Sequence, residues 1–476
     1  MKNHWLLWSL FCVGTLAGLV LIFAIGRDGN PRLSDAKDDL PIRKWPRAKE
    51  VSADAYQEFL LQVRRNQLMG TVMLPRIPEG TTGVATKHPQ EVGIVPPRVC
   101  GQCHAELWEE FQQSPHFRTS SEPSREGTPG RYEPPDSRVA TVHPQAWFEM
   151  VAKPNGFYQQ LHINHEGQSY LHEARIDLVI GSGKVGQSFL SWTKDALHQL
   201  PVSYFTDGAR WGHSPDFDYP EGTFNFSRPI SERCLDCHAT WFARVPQTIN
   251  RFARDEFFLG VTCSRCHGLG REHVDHHLAH PNETAPHAIT NPGKLSQELA
   301  VSVCAQCHSG ESELVSTGFR YRPGEPLAEY LVQPSANADT EIDKSIPDPH
   351  AASQLRRLEK SACFRQSEMT CFTCHDPHRN ERGREKHFLV DHCLKCHQPD
   401  DCQQRKLTGA AVDRLCIECH MPLVEYADIR RPGEDSMPIP KMRDHRIQIW
   451  PEATTNVLQR LSTEASKAGT KAGVPR

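Results

Sequence analysis

The feature that most constrains this 476-residue chain is one short pattern, Cys-x-x-Cys-His, which occurs seven times. The copies are Cys100-Gly-Gln-Cys103-His104, Cys234-Leu-Asp-Cys237-His238, Cys263-Ser-Arg-Cys266-His267, Cys304-Ala-Gln-Cys307-His308, Cys371-Phe-Thr-Cys374-His375, Cys393-Leu-Lys-Cys396-His397 and Cys416-Ile-Glu-Cys419-His420. With 17 Cys and 26 His, chance supplies roughly 0.03 copies of the c-type haem attachment pattern. Two thiols three residues apart reach the two vinyl groups of one porphyrin, and the next His meets the iron as proximal ligand. The pattern therefore predicts seven covalently bound c-type haems. Zinc held by paired CxxC is the competing reading, but it gives no reason for His to follow every second Cys.

Composition agrees with a cofactor-filled interior. Only 38% of residues are hydrophobic, while Pro (36) and Gly (31) are frequent, which favours loops and short elements. The last three motifs begin at Cys371, Cys393 and Cys416, too close together for each segment to build a core of its own. Their haems must serve as core. The formal charge of −4 gives no nucleic-acid signal. Counting each ferric haem with its propionates as about −1 brings the holoprotein to about −11, which favours basic partner surfaces.

The remaining chain divides by character. Residues 5–26 are uncharged and mostly apolar, about the length of one bilayer crossing. They read as an N-terminal membrane anchor (1–26), or as a signal peptide cleaved after Gly26. Either reading exports the rest, predicting an extracytoplasmic, periplasmic-side protein tied to the cytoplasmic membrane. Residues 27–98 read as a linker with one amphipathic helix near Ala48–Met69, and 99–138 as the first haem segment, with a helix over Ala105–Gln113. Residues 139–230 lack the motif and alternate in hydrophobicity, with turn signals at Pro154-Asn155-Gly156 and Glu166-Gly167. They predict a small antiparallel β insertion. Residues 231–450 carry six motifs, and the Thr-, Ala- and Lys-rich stretch 451–476 reads as a flexible tail.

The sixth iron ligand decides what such haems do. A second His closes the iron to substrates and suits it to electron transfer at low potential. His116 lies 12 residues after His104, about 18 Å along a helix, so it cannot reach round the same iron. It is expected to ligate a neighbouring haem, and His378, three residues after His375, is expected to do likewise. His143, His273, His350 (opening a predicted helix, Ala351–Ser361) and His445 complete the distal candidates. His276, His277, His280, His387 and His392 stand in reserve, and each candidate has surface histidine as its alternative. Six candidates for seven irons leave one iron potentially open.

Other signals carry less. Cys363 and Cys402 lie outside the motifs and form either a disulfide or two separate thiols. Gly181-Ser-Gly183-Lys-Val-Gly186 matches a dinucleotide-binding pattern, but it lies among strands and reads as a glycine-rich β turn. Arg320, Arg322 and Arg365 are candidates to pair with propionates. No serine triad or HExxH motif is present, and no catalytic residue is assigned.

The motif series itself resembles a known family. Cys100-Gly-Gln-Cys103-His104 with Trp108 and Ser114-Pro115-His116 is similar to the first haem segment of the tetrahaem cytochrome c of ammonia oxidisers. Its larger multihaem relatives, in the nitrite reductase and hydroxylamine oxidoreductase haem-packing superfamily, share it. Cys263–His273, Thr370–His378, Cys416–Pro422, Phe319–Gly324 and Asp444–Ile447 extend the likeness over about 95–450. The resemblance implies a multihaem cytochrome c fold, mostly α-helical and irregular around stacked haems. It implies electron transfer between a membrane-side donor, a quinol-linked complex or cytochrome, and an extracytoplasmic acceptor. Other redox proteins or a membrane respiratory complex are the expected partners, within an oligomer or larger assembly. The alternatives are an oxidoreductase acting on nitrite- or hydroxylamine-like compounds at one open iron, and a haem-wire subunit of a larger complex. All seven motifs end in His rather than the Lys of the usual nitrite reductase, and no cross-linking Tyr can be placed, so the enzyme reading is the weaker.

Overall fold

The computed structural model of the chain describes residues 49–51, 93–141, 143–165, 167–214, 226–246, 248–310, 312–315, 317–334, 352–380, 387–425 and 441–471. Regular apolar alternation produces strands first. β1 (Arg138–Ala140), β2 (Ala146–Lys153), β3 (Gly156–His165) and β4 (Gln168–Ile176) form an antiparallel meander in sequence order. Its first hairpin turns at Pro154-Asn155, and Gly167, at φ +76°, lies in the connection between β3 and β4. A seven-stranded sheet follows, built on β5 (Leu178–Ile180), β6 (Gly186–Thr193), β7 (Ala196–Gln199), β8 (Val202–Phe205) and β9 (Arg210–His213). The short strands Ser120–Ser121 and Arg228–Pro229 pair with β5 and β7.

Between these sheets lies an apolar core, with Phe148, Met150, Leu161, Ile176, Phe189, Leu200 and Trp211 all buried. Gln159 fastens the two layers. Its Nε2 donates to the Val202 carbonyl at 2.7 Å, and its Oε1 accepts from the Val202 N–H at 3.0 Å. The amide thus stands in for a neighbouring strand where none can reach. A second core joins Leu178, Leu190 and Leu197 to Leu235, Phe242 and Phe252, coupling the sheet to the first motif beyond the insertion.

The rest is short helices around a void. α1 (Ala105–Phe111), α2 (Glu232–His238), α3 (Cys263–His267), α4 (Arg271–Ala279), α5 (Gln297–His308), α6 (Gln354–Leu358), α7 (His387–Cys393) and α8 (Cys416–His420) are mostly one or two turns long. Such helices are unstable alone and need packing on one face. α5, the longest of them, is capped by Ser296, whose hydroxyl accepts from the Leu299 N–H. It buries Val301 and Ala305 against Leu355, Leu358 and Phe364 in a third core.

Several expectations are corrected. Strand rivals helix throughout the described residues, so the fold is not mostly α-helical. The insertion builds two antiparallel sheets, and a further hairpin, β10 (Ala239–Arg244) with β11 (Phe252–Leu259), separates the second and third motifs. Residues 49–51, where the linker helix was to begin, instead pair in parallel with Leu331–Pro334. The rest of that helix lies outside the described residues. The expected tail is helical as α9 (Pro451–Lys471), because Ala, Leu, Glu, Gln and Lys favour helix and Val457 is buried, with α9 packed on α8.

The membrane anchor and the localisation drawn from it are also withdrawn. No helix among the described residues is long and apolar enough to cross a membrane. α9 has the length but carries Glu, Lys and Arg along it. Residues 5–26 lie outside the described residues.

Replacing Gln159 by Leu leaves the buried Val202 N–H and carbonyl without partners. Chemical denaturation should show a loss of about 1–3 kcal/mol.

Candidate haem-binding site

All 14 motif cysteines and all seven motif histidines line one continuous cavity of about 3260 Å³. The local geometry explains how each motif reaches it. A turn of helix or 3-10 helix over Cys-x-x-Cys places both sulfurs on one side, and the backbone N–H of His104, His375 and His397 donates to the carbonyl of its motif's first Cys. The imidazole then follows the thiols onto the same wall. Leu107, Trp108, Phe111, Leu355, Leu358 and Phe388 supply apolar surface between the motifs.

Outward hydrogen bonds orient the rings. His267 Nδ1 donates to Thr290 O (2.9 Å), His420 Nδ1 to Gln448 O (3.0 Å), His308 Nδ1 to Gln354 Oε1 (3.1 Å), and His238 Nδ1 bonds Thr119 Oγ1 (3.0 Å). Distal candidates are held in the same way. His273 Nδ1 donates to His287 O (2.9 Å), His445 Nδ1 to Arg443 O (3.0 Å), His378 Nδ1 to Asp376 Oδ1 (3.2 Å), and His116 to the Pro377 carbonyl. With Nδ1 engaged, Nε2 is left to the cavity, which is how metal-binding imidazoles are usually fixed. Burial holds His116, His238 and His445 down to a pKa of about 4, so each keeps a free lone pair at neutral pH.

Three pairs of rings face one another across the cavity. The centroids of His116 and His308 are 6.3 Å apart, those of His267 and His378 5.9 Å, and those of His375 and His445 6.2 Å. Two imidazoles on opposite sides of one metal, each bonded at about 2.0–2.1 Å, require roughly 6.3 Å between centroids. The residues present therefore fit a six-coordinate haem iron. The motif thiols would become thioethers, so they take no part in acid–base chemistry.

The structure treats the other distal candidates differently. His273 lines the cavity, whereas His143 is an exposed residue in the turn before β2, where its carbonyl accepts from the Ala146 N–H. His350 lies outside the described residues. His277 and His392 line the cavity, but His276 and His280 do not. Cys363 and Cys402 form no disulfide. Both thiols line the cavity instead. Arg320, Arg322 and Arg365 are absent from the cavity wall, and Arg322 is spent on the carbonyls of Phe319 and Tyr321. The Gly181–Gly186 turn joins β5 to β6, with Gly181 at φ +108°. A Cβ there would meet the Gly186 carbonyl oxygen at 2.6 Å, so glycine serves the turn and no dinucleotide is needed to explain it.

One feature was missed in the sequence. The variable positions of three motifs lock together: Arg265 Nη2 donates to Asp236 O (2.8 Å) and Oδ1 (3.2 Å), and Arg233 Nη1 to Asp236 Oδ2 (3.2 Å). Gln306 Nε2 donates to the Arg265 carbonyl at 3.2 Å, and Arg233 Nη1 to the Gln306 carbonyl at 3.1 Å. The opposite charges in Cys-Leu-Asp-Cys-His and Cys-Ser-Arg-Cys-His were the available signal.

Comparison with known proteins agrees with this site. A family model described as cytochrome c554 and c-prime matches residues 223–268, and one described as the doubled CXXCH motif matches 386–425. This chain is a multihaem c-type cytochrome. Both matches are local and cover less than half of the cytochrome. No curated protein sequence matches it. Among solved structures, the outer cell wall cytochrome OcwA is similar over 76% of this chain and 81% of its own, with 14% identity and a TM-score of 0.48.

Asp236→Ala would strand two buried guanidinium groups beside the cavity. The cytochrome should lose about 3–5 kcal/mol of stability, read as an earlier denaturant midpoint of the fully haem-loaded protein.

Proposed function

We propose that this cytochrome is an electron relay that binds seven c-type haems, one at each motif. The observation that carries the proposal is the single cavity shared by all seven motifs. A cofactor with isolated duties would need a pocket of its own. Here neighbouring attachment sites pack together: the turn of helix ending at Cys100 packs on α3, α2 packs on α5, and α7 packs on α8.

Haem supplies reversible one-electron chemistry at the iron. The chain's own residues set its coordination and exclude solvent. His116 serves the haem of Cys304 and Cys307, His378 that of Cys263 and Cys266, and His445 that of Cys371 and Cys374. Each distal ligand comes from a segment remote in sequence from the motif it serves, so ligation also ties the fold together. Arg357 strengthens one such tie. It pairs with Asp444, Nε to Oδ1 at 2.9 Å, and both side chains are buried next to His445. The expected partners are other redox proteins, with basic surfaces favoured by the acidic holoprotein.

A second reading, an oxidoreductase acting on a small nitrogen or sulfur compound at an open iron, has one observation in its favour. Among the described residues, rings at axial spacing face His267, His308 and His375, and no such ring contact is seen at His104, His238, His397 or His420.

A pyridine haemochrome assay should give seven haems per chain, and ferric electron paramagnetic resonance should show low-spin iron throughout. A high-spin fraction that shifts with nitrite or hydroxylamine would favour the second reading instead. Replacing His116, His378 or His445 singly by Ala should convert about one haem in seven to high spin, leaving the haem count unchanged. Unaltered low-spin spectra in all three variants would refute the ligand assignment.

A further inference from the structure

α4 and its C-cap residue, His280, carry two histidine pairs at i, i+4 spacing. His273 and His277 face the haem cavity, while His276 and His280 do not line it. The second pair is not alone. After α4 the chain turns at Pro281, and the Glu283 N–H donates to the His280 carbonyl at 3.0 Å. That turn brings the Glu283 carboxylate back to the helix, where Oε2 lies 3.1 Å from His276 Nε2. One donor atom each from His276, His280 and Glu283 falls within 4.8 Å of the others. Three ligands at about 2.0–2.1 Å from a tetrahedral ion stand roughly 3.3–3.4 Å apart, so only small side-chain rotations separate this cluster from coordination.

Other contacts preorganise the cluster. His280 Nδ1 donates to the His276 carbonyl at 3.0 Å, which leaves Nε2 as its ligand atom. His277 Nδ1 holds the Glu283 carbonyl at 3.1 Å, and His273 Nδ1 holds the His287 carbonyl at 2.9 Å. The haem-facing pair therefore positions the loop that carries Glu283 and His287. The His287 ring stacks on His276 with centroids 3.8 Å apart and so steadies that imidazole.

We propose that His276, His280 and Glu283 form a binding site for one divalent transition-metal ion, separate from the haem irons, with water as fourth ligand. Two imidazoles at i, i+4 on one helix with a carboxylate form a zinc-type donor set. Nitrogen donors favour zinc or copper over calcium or magnesium, which take oxygen. Because His273 and His277 anchor the same loop, the ion would brace the part of the cavity wall that α4 supplies.

The test is calorimetric titration of zinc into metal-stripped holoprotein at neutral pH. One equivalent should bind, and His276→Ala and His280→Ala should each weaken binding by at least about tenfold, with haem spectra unchanged. Glu283→Gln should weaken it as well, whereas His143→Ala, at an exposed histidine elsewhere, should not. Magnesium should not compete at millimolar concentration. No zinc binding by the wild type, or equal binding by the wild type and the His276→Ala/His280→Ala double variant, would overturn the assignment.

Discussion

Covalent attachment of porphyrin through Cys-x-x-Cys-His motifs is the constraint on which the rest of the structure depends. Helices of one or two turns cannot enclose a core by themselves, yet here they surround about 3260 Å³. A void of that size lined with apolar side chains is not a stable interior for protein alone. Filled with flat apolar cofactors fixed by two bonds each, it becomes the core. Folding of the motif region is thus inseparable from haem attachment, whereas the β region has dense side-chain cores of its own.

That division of labour explains where the polar fastenings lie. In the β region a single amide, Gln159, completes the contact between two sheets. Around the cavity, charge does the fastening: Asp236 between Arg233 and Arg265, and Asp444 with Arg357. These buried pairs join segments remote in sequence that carry motifs or candidate ligands. Little protein core stands between those segments, so breaking one pair leaves an unpaired charge and loosens the cavity wall together.

Short spacing between attachment sites also limits what the haems can do. Attachment helices packed on one another hold their cofactors close, and close haems can exchange electrons whether or not one of them also meets a substrate. A relay function is therefore the minimum the arrangement supports. Any chemistry at an open iron would draw on the same chain of cofactors.

The sequence by itself determined the cofactor class, because thiol spacing and the following imidazole are local covalent chemistry. It also determined the hairpins of the β insertion, since alternation and turn residues act within a few positions. Four of the six distal candidates, His116, His273, His378 and His445, indeed line the cavity, but which motif each one faces was not legible. His116 meets His308 across nearly two hundred residues of chain, a pairing that no local rule encodes. For the same reason the sequence left the disulfide open, missed the Asp236 bolt, and misread α9 as disordered when its partner, α8, was unknown. Local chemistry fixed what is bound. Only tertiary packing decided which residues stand opposite one another around it.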